Sequence, residues 1–383
     1  MTSSITITNA RIVTRERDFI GSLQARCGDI TRLDEGALGT FGVAGAEDWN
    51  GDFLLPGFIE LHTDNLEKHL MPRPKVSWPE FPALLAHDAE IAAAGITTVY
   101  DALGVGDADE AALRGKDMSE LMHCFDHAEK AALLRAEHRI HVRCELPAPN
   151  AVRLFEPFAK NPRVHLLSLM DHTPGQRQWT NIEQARIYYT GKKGWSDEKF
   201  ERVTAESKDL QQQYAAPHRR FFLEHARSNN IPLASHDDTT PQHVTEARDA
   251  GIALSEFPTT REAAQAAREH ALGIVMGAPN VVRGGSHSGN ISASALAGDG
   301  LLDVLSSDYV PSSLLSAAFI LVSKCGFSMP QAIATISATP ARCVGLHDRG
   351  EIAQHKRADF SRVRVVHGVP SVVAVWRGAK RIA

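Results

Sequence analysis

The sequence predicts an α/β fold, a (β/α)8 TIM-like barrel carrying a small β-sandwich built from both chain ends. Three observations predict it. Apolar bursts of strand length alternate with helical stretches through the middle of the chain, the pattern of βα units around a parallel sheet. There are eight such bursts, the number that closes a barrel. Both ends show short strands and tight turns without helical periodicity. With 383 residues, 43% of them hydrophobic, the chain can hold one large unit and one small one. The expected division is 1–56 with 345–383 for the sandwich and 57–344 for the barrel, with an inserted helical segment at about 176–230.

The elements follow in order. Ile5-Thr6-Ile7, Gly28-Asp29-Ile30 and the glycine-rich stretch 36–45 read as strands and turns. The eight barrel strands are expected at Phe53–Leu61, Ile96–Asp101, Ile140–Leu146, Val164–Met170, Ile231–Ser235, Ile252–Ser255, Gly273–Met276 and Leu302–Ser307. Helices fall between them, at Phe81–Ala94, Met118–Glu137, Pro241–Ala250 and Thr260–Glu269. The insert has helical pieces at Asn181–Tyr189 and Lys199–Tyr214 and carries Arg177, Arg186, Lys192, Lys193, Lys208, Arg219 and Arg220. It reads either as a lid over an anionic ligand or as a solvated helical hairpin. Arg349–Ala353, Ala358–Phe360, Val363–Val366 and Val372–Gly378 return to the β texture of the start.

Composition narrows the partners. Net charge is -5 and the cations are spread along the chain, which argues against a nucleic-acid or membrane surface and for a small-molecule substrate. No window approaches eighteen apolar residues, and Met1–Ala10 lacks the form of a leader. Cys27, Cys124, Cys144, Cys325 and Cys343 form no CxxC pair, as expected of reduced thiols in the cytoplasm. A homo-oligomer is compatible with all of this.

In such a barrel the functional side chains lie at the C-terminal strand ends, and five ends carry metal-ligand residue types. Strand one ends in His62 and Asp64, two residues apart and so on one face. Strand three ends in Glu145, and strand four runs into Asp171 and His172. Strand five delivers His236, followed by Asp237 and Asp238, and strand eight ends in Asp308. Imidazoles and carboxylates converging on one mouth suit one or two divalent ions, Zn, Mn, Fe or Ni, that activate a water. The plainer alternative for the first pair is a buried histidine followed by Asp64 as a helix cap. His123 and His127, four apart on the helix after strand two, face the outer layer, and His138, His141, His165 and His218 read as structural.

Cationic, amide and hydroxyl groups in neighbouring loops are expected to hold an anionic substrate. They are Asn65, Lys68 and Arg73 after strand one, Arg177 after strand four, and Arg283, Ser286 and His287 in the glycine-rich segment Val281–Asn290 after strand seven. That last segment is not a P-loop, because it lacks the GK[ST] ending.

Gly95-Ile96-Thr97-Thr98-Val99, the carboxylate after Ser306-Ser307, and the split β unit with Gly350-Glu351-Ile352 and Lys356-Arg357-Ala358-Asp359 resemble the amidohydrolase superfamily over nearly the whole chain. More narrowly, Leu55-Pro56-Gly57, Glu60–His69, Pro72-Arg73-Pro74, Trp78-Pro79, Met170–Gln178 and Ser235–Asp238 are similar to the diphosphatases of the carbon-phosphorus lyase pathway. The resemblance implies hydrolysis of a triphosphate on a ribose 1-methylphosphonate, with the 5-phosphate and pyrophosphate as products. It also implies His62, Asp64, Glu145, His172, His236 and Asp308 as ligands of a divalent metal, Zn foremost, with Glu145 bridging and Asp308 as base. The superfamily usually has His-x-His on strand one, and this chain has Asp64 in the second place, so one ion or two both stay open. The competing readings are a C–N hydrolase or deaminase on the same fold, and a barrel that binds without catalysis.

Overall fold

The computed structural model describes residues 4–36, 45–73, 76–107, 118–286 and 289–383; of the expected elements, most of the glycine-rich stretch 36–45 lies outside them, as do the side chains of Lys192 and Lys193. From the start of the chain, strands β1 (Ser4–Val13), β2 (Asp18–Arg26), β3 (Asp29–Glu35), β4 (Ala46–Asp48) and β5 (Phe53–Pro56) precede the barrel. The barrel strands are β6 (Phe58–Thr63), β7 (Ile96–Val105), β8 (Glu137–Glu145), β9 (Val164–Met170), β10 (Leu233–His236), β11 (Leu254–Glu256), β12 (Gly273–Gly277) and β13 (Val304–Ser306). Then β14 (Phe360–Val366), β15 (Val369–Arg377) and β16 (Lys380–Arg381) return to the first group.

Both ends of the chain meet in one sheet of order β16-β15-β14-β5-β1-β2-β3, with β4 on β1. It closes over its own core of Ile7, Ile12, Leu23, Trp49, Leu54, Phe360 and Trp376. The Trp376 ring centroid lies 5.4 Å from Trp49 and 5.2 Å from Phe360, so residues from the two ends are packed ring on ring.

The run Phe53–Leu61, expected as one strand, is two. Its first half pairs with β1 and β14, and its second half with β7. Gly57 makes the switch possible: a Cβ there would sit 2.4 Å from Thr97 Oγ1, a clash that only glycine avoids. The Gly57 N–H, at the step, donates to the Asp359 carbonyl at 2.9 Å.

The barrel strands are parallel and neighbour one another in sequence order from β6 to β13. Closure between β13 and β6 rests on a bridge of Thr63 with Asp308. Asp64 N–H donates to the Asp308 carbonyl at 3.0 Å, and Asp308 N–H to the His62 carbonyl at 3.1 Å. The interior is filled by Ile59, Leu61, Tyr100, Leu166, Leu254, Val275 and Val304, and the imidazoles and carboxylates of the strand ends collect above it. The outer faces bury their apolar residues under the helices.

Element boundaries moved where local geometry decided. The helix expected at Met118–Glu137 is Ser119–Lys130, because Ala132 turns left-handed with φ 53° and Glu137 enters β8. The insert forms helices Ile182–Lys193 and Asp197–Asn229. The second continues well past Tyr214 through Pro217, since Phe222 and Ala226, one turn apart, are buried against the barrel. Trp179, Ala185 and Phe200 give the hairpin a small core of its own. No helix among the described residues is long and apolar enough to cross a membrane.

Candidate active site

Alternation along β8 sets one wall of the site. His141, Arg143 and Glu145 point inward, while Ile140, Val142 and Cys144 pack under the helices. His62 is the last residue but one of β6, two strands from β8, and Asp64 follows at the start of the helix Asn65–Leu70 without capping it through its side chain. His236 ends β10. Asp237 and Asp308 each follow a strand in the left-handed region, at φ 54° and 53°, which aims their carboxylates across the mouth.

These groups line one cavity of about 590 Å³. Its floor is His62, Asp64, Arg143, His172, His236, Asp237 and Asp308. One side is Asn280, Arg283, Gly285, Ser286 and Asn290 from the segment after β12. Phe257, Pro258, Met276 and Ile291 add apolar wall, and the insert contributes Gln178 and Tyr188.

Two carboxylates orient the imidazoles. Glu256, fully buried at the end of β11, places Oε1 3.2 Å from His62 Nδ1 and Oε2 3.4 Å from His236 Nδ1. With Nδ1–H donating in both rings, each Nε2 is left as the lone-pair nitrogen. Glu145 holds His172 twice, accepting its backbone N–H at 3.0 Å and lying 2.5 Å from Nδ1. Asp237 stands 3.6 Å from His236 Nε2 and 3.8 Å from His172 Nε2.

Burial dominates the electrostatics. It pushes Asp308 up to about 7, with Asp64 adding to the effect, and it pushes Asp237 up to about 7 against the pull of His172. It drives the His236 imidazole well below the usual range and His141 to about 4. Burial also opposes charge on His172, but the Glu145 carboxylate outweighs it and raises that ring above its ordinary value.

The donor set fits a divalent ion. Ligand atoms of His62, His236 and Glu256 lie within 4.8 Å of one another, and so do those of His172, His236 and Asp237. A third such group, His87, Asp101 and His138, sits away from the mouth, and its imidazoles hydrogen-bond Asp101 at 2.6 and 2.7 Å.

Of the residues expected from sequence, His62, Asp64, His172, His236, Asp308, Arg283 and Ser286 meet at this cavity. Glu145 stands behind His172. Four expected substrate contacts do not line it. Asn65 turns away with its helix and donates to Glu90 at 2.9 Å, and Lys68 donates to the Tyr309 carbonyl. Both face a second cavity, between the helices Asn65–Leu70 and Glu80–Ala93. Arg73 is exposed and bridges to Val76. Arg177 reaches inward, but to Asp238 at 2.6 Å and the His236 carbonyl at 3.1 Å. His287 lies outside the described residues. His123 and His127 are exposed on the solvent face of their helix, as expected.

The sequence singles out Asp237 only as a neighbour of His236, and gives no role to Arg143, to Glu256 or to the inward direction of His141. The alternation His141-x-Arg143-x-Glu145 was a readable signal for three polar groups on one strand face. Glu256 escaped because strand six was expected to end one residue early, at Ser255.

No protein family model matches the chain. A curated relative, the alpha-D-ribose 1-methylphosphonate 5-triphosphate diphosphatase of Escherichia coli (strain K12), is 43% identical over 378 residues, which cover 98% of this chain and 99% of that protein. Solved structures share the architecture at low identity. Molinate hydrolase superposes with a TM-score of 0.66 at 13% identity, over 99% of this chain and 94% of the other. For N-acetyl-D-glucosamine-6-phosphate deacetylase from Mycobacterium smegmatis the TM-score is 0.61 at 15% identity, over 99% and 100%. For 5-methylcytosine deaminase from Klebsiella pneumoniae it is 0.63 at 15%, over 99% and 98%. Such likeness shows the fold and leaves the bond to the site.

Proposed function

Because the chain belongs to the family of alpha-D-ribose 1-methylphosphonate 5-triphosphate diphosphatases, built on the amidohydrolase fold, we infer that it hydrolyses the triphosphate of a ribose 1-methylphosphonate 5-triphosphate. Water adds to phosphorus, pyrophosphate leaves, and the ribose keeps its 5-phosphate. The observation that carries this reading is one cavity in which imidazoles and carboxylates on the floor meet Arg283 and Ser286 on one side, so that groups able to activate water stand beside groups able to hold phosphate.

A divalent ion, Zn foremost, suits the imidazole-rich floor, and His62, His172 and His236 would hold it, with Asp237 or Glu256 beside them. When bound it supplies a more acidic water and positive charge for the phosphoryl oxygens. The Asp308 carboxylate, on the same floor, accepts the proton of the attacking water. Arg283, Ser286 and the backbone around Gly285 take phosphate oxygens, while Phe257, Ile291 and Tyr188 border the ribose. The five cysteines are unpaired, in keeping with a cytoplasmic setting.

The test is a substrate panel given to the purified metal-containing protein. It comprises ribose 1-methylphosphonate 5-triphosphate, nucleoside triphosphates and cyclic amides, with pyrophosphate, orthophosphate and ammonia as readouts. Pyrophosphate from the ribose substrate is the expected product. Ammonia from an amide without any pyrophosphate would move the protein to the C–N hydrolases.

A further inference from the structure

We propose that Arg143 is a substrate-binding residue whose guanidinium takes non-bridging phosphate oxygens at the floor of the cavity. This rests on the diphosphatase reading and adds to it a cation that comes from the barrel wall.

Three observations carry it. First, Arg143 lies midway along the inward column of β8, between His141 below and Glu145 above, and it lines the cavity. Second, it is only 7% exposed, yet its Nε and Nη1 find no hydrogen-bond partner among the described residues. Its ion pair with Asp64 is 3.6 Å long, beyond hydrogen-bond reach. A buried guanidinium cannot shed its charge, and leaving its N–H groups unmet is costly, so the arrangement calls for an acceptor arriving from the cavity.

Third, the other buried arginine among the described residues is engaged through all three of its nitrogens: Arg349 donates to Asp348, Glu137 and Thr98. The half-buried Arg177 is held by Asp238 and the His236 carbonyl through Nη1. Arg143 is thus a cation kept in reserve, surrounded by Asp64, Asp237 and Asp308 in the same cavity wall. The planar fork matches two oxygens of one phosphate, which an ammonium group cannot do. The Asp64 carboxylate, 3.6 Å away, balances the guanidinium charge from one side and leaves the fork to the substrate.

Calorimetric binding of pyrophosphate to wild type, Arg143→Gln and Arg143→Lys tests this, with metal content and thermal midpoint measured on the same preparations. The expected result is binding weakened at least about tenfold in Arg143→Gln, and less so in Arg143→Lys, which keeps the charge and loses the fork, with metal content unchanged. Affinity within twofold of wild type in a folded Arg143→Gln protein overturns the assignment while leaving the diphosphatase reading intact. If that variant does not fold, Arg143→Lys decides: unchanged pyrophosphate affinity and unchanged KM overturn it. Wild-type protein that neither binds pyrophosphate nor releases it from the triphosphate overturns both.

Discussion

Glu60 and Ser307 are joined across the seam of the barrel. One oxygen of the Glu60 carboxylate accepts the Ser307 backbone N–H at 2.6 Å, and the other accepts the His62 backbone N–H at 2.7 Å. A buried side chain therefore does at the β6–β13 junction what a strand ladder does elsewhere, and it fixes the two strand ends that carry His62 and Asp308. Replacing Glu60 by Ala leaves two buried N–H groups without an acceptor, each costing about 1–3 kcal/mol. The denaturant midpoint of Glu60→Ala is expected to fall accordingly, and turnover to fall with it. A midpoint equal to wild type contradicts the seam role.

Glu256 orients His62 and His236 at once through their Nδ1 atoms. In Glu256→Gln the amide can accept from one ring, but its NH2 group faces the other, so one imidazole loses its preferred tautomer. Metal affinity, read by competition with a chelator, should drop about 10–100-fold. Unchanged affinity removes Glu256 from the metal account.

A buried relay elsewhere sets a pH dependence of stability. Asp101 lies between His87 Nε2 and His138 Nδ1, and His138 Nε2 reaches Asp88 at 3.2 Å. Burial opposes charge on His138, but Asp101 and Asp88 outweigh it and raise the ring to about 9; burial opposes charge on Asp101 too, and the two imidazoles bring it down to about 2. The raised His138 stabilises the fold fully below 6.5, and that contribution is lost as pH rises through about 9. The lowered Asp101 contributes above 3.8, and its share is lost as pH falls through about 2. Thermal melts should therefore show a midpoint that declines between pH 6.5 and 9, with a smaller decline in His138→Gln. A wild-type midpoint flat over that window contradicts the charged relay.

Gly57 marks the step between the two sheets, and an added Cβ there meets Thr97 Oγ1 at 2.4 Å. Gly57→Ala is expected to cost roughly 1–3 kcal/mol through backbone displacement. Pairing it with Thr97→Ala should recover part of the loss, and no recovery in the double variant argues against the clash.

The barrel was legible because its signals are periodic: each inner strand is a short apolar burst, and the chain visits them in order. The strand-end rule found His62, His172, His236 and Asp308 for the same reason. What stayed hidden depended on geometry that no spacing records. Asn65 and Lys68 follow Asp64 directly, but one helical turn carries them to another cavity. Arg177 is placed by its pairing with Asp238, sixty-one positions along the chain, and the direction of the Asp237 carboxylate by a left-handed backbone. The run Phe53–Leu61 reads as one strand that crosses the expected boundary at 56/57, and it is two strands that part at Gly57, where a side chain would meet Thr97.

In the proposed reaction Asp308 accepts the water proton as pyrophosphate is released. The most direct measurement is single-turnover release of pyrophosphate from ribose 1-methylphosphonate 5-triphosphate by wild type and Asp308→Asn at matched metal content. The rate of the variant is predicted to fall by about 10²–10⁴-fold while its thermal midpoint stays close to wild type. Release at the wild-type rate by a folded, metal-loaded Asp308→Asn protein would contradict the mechanism.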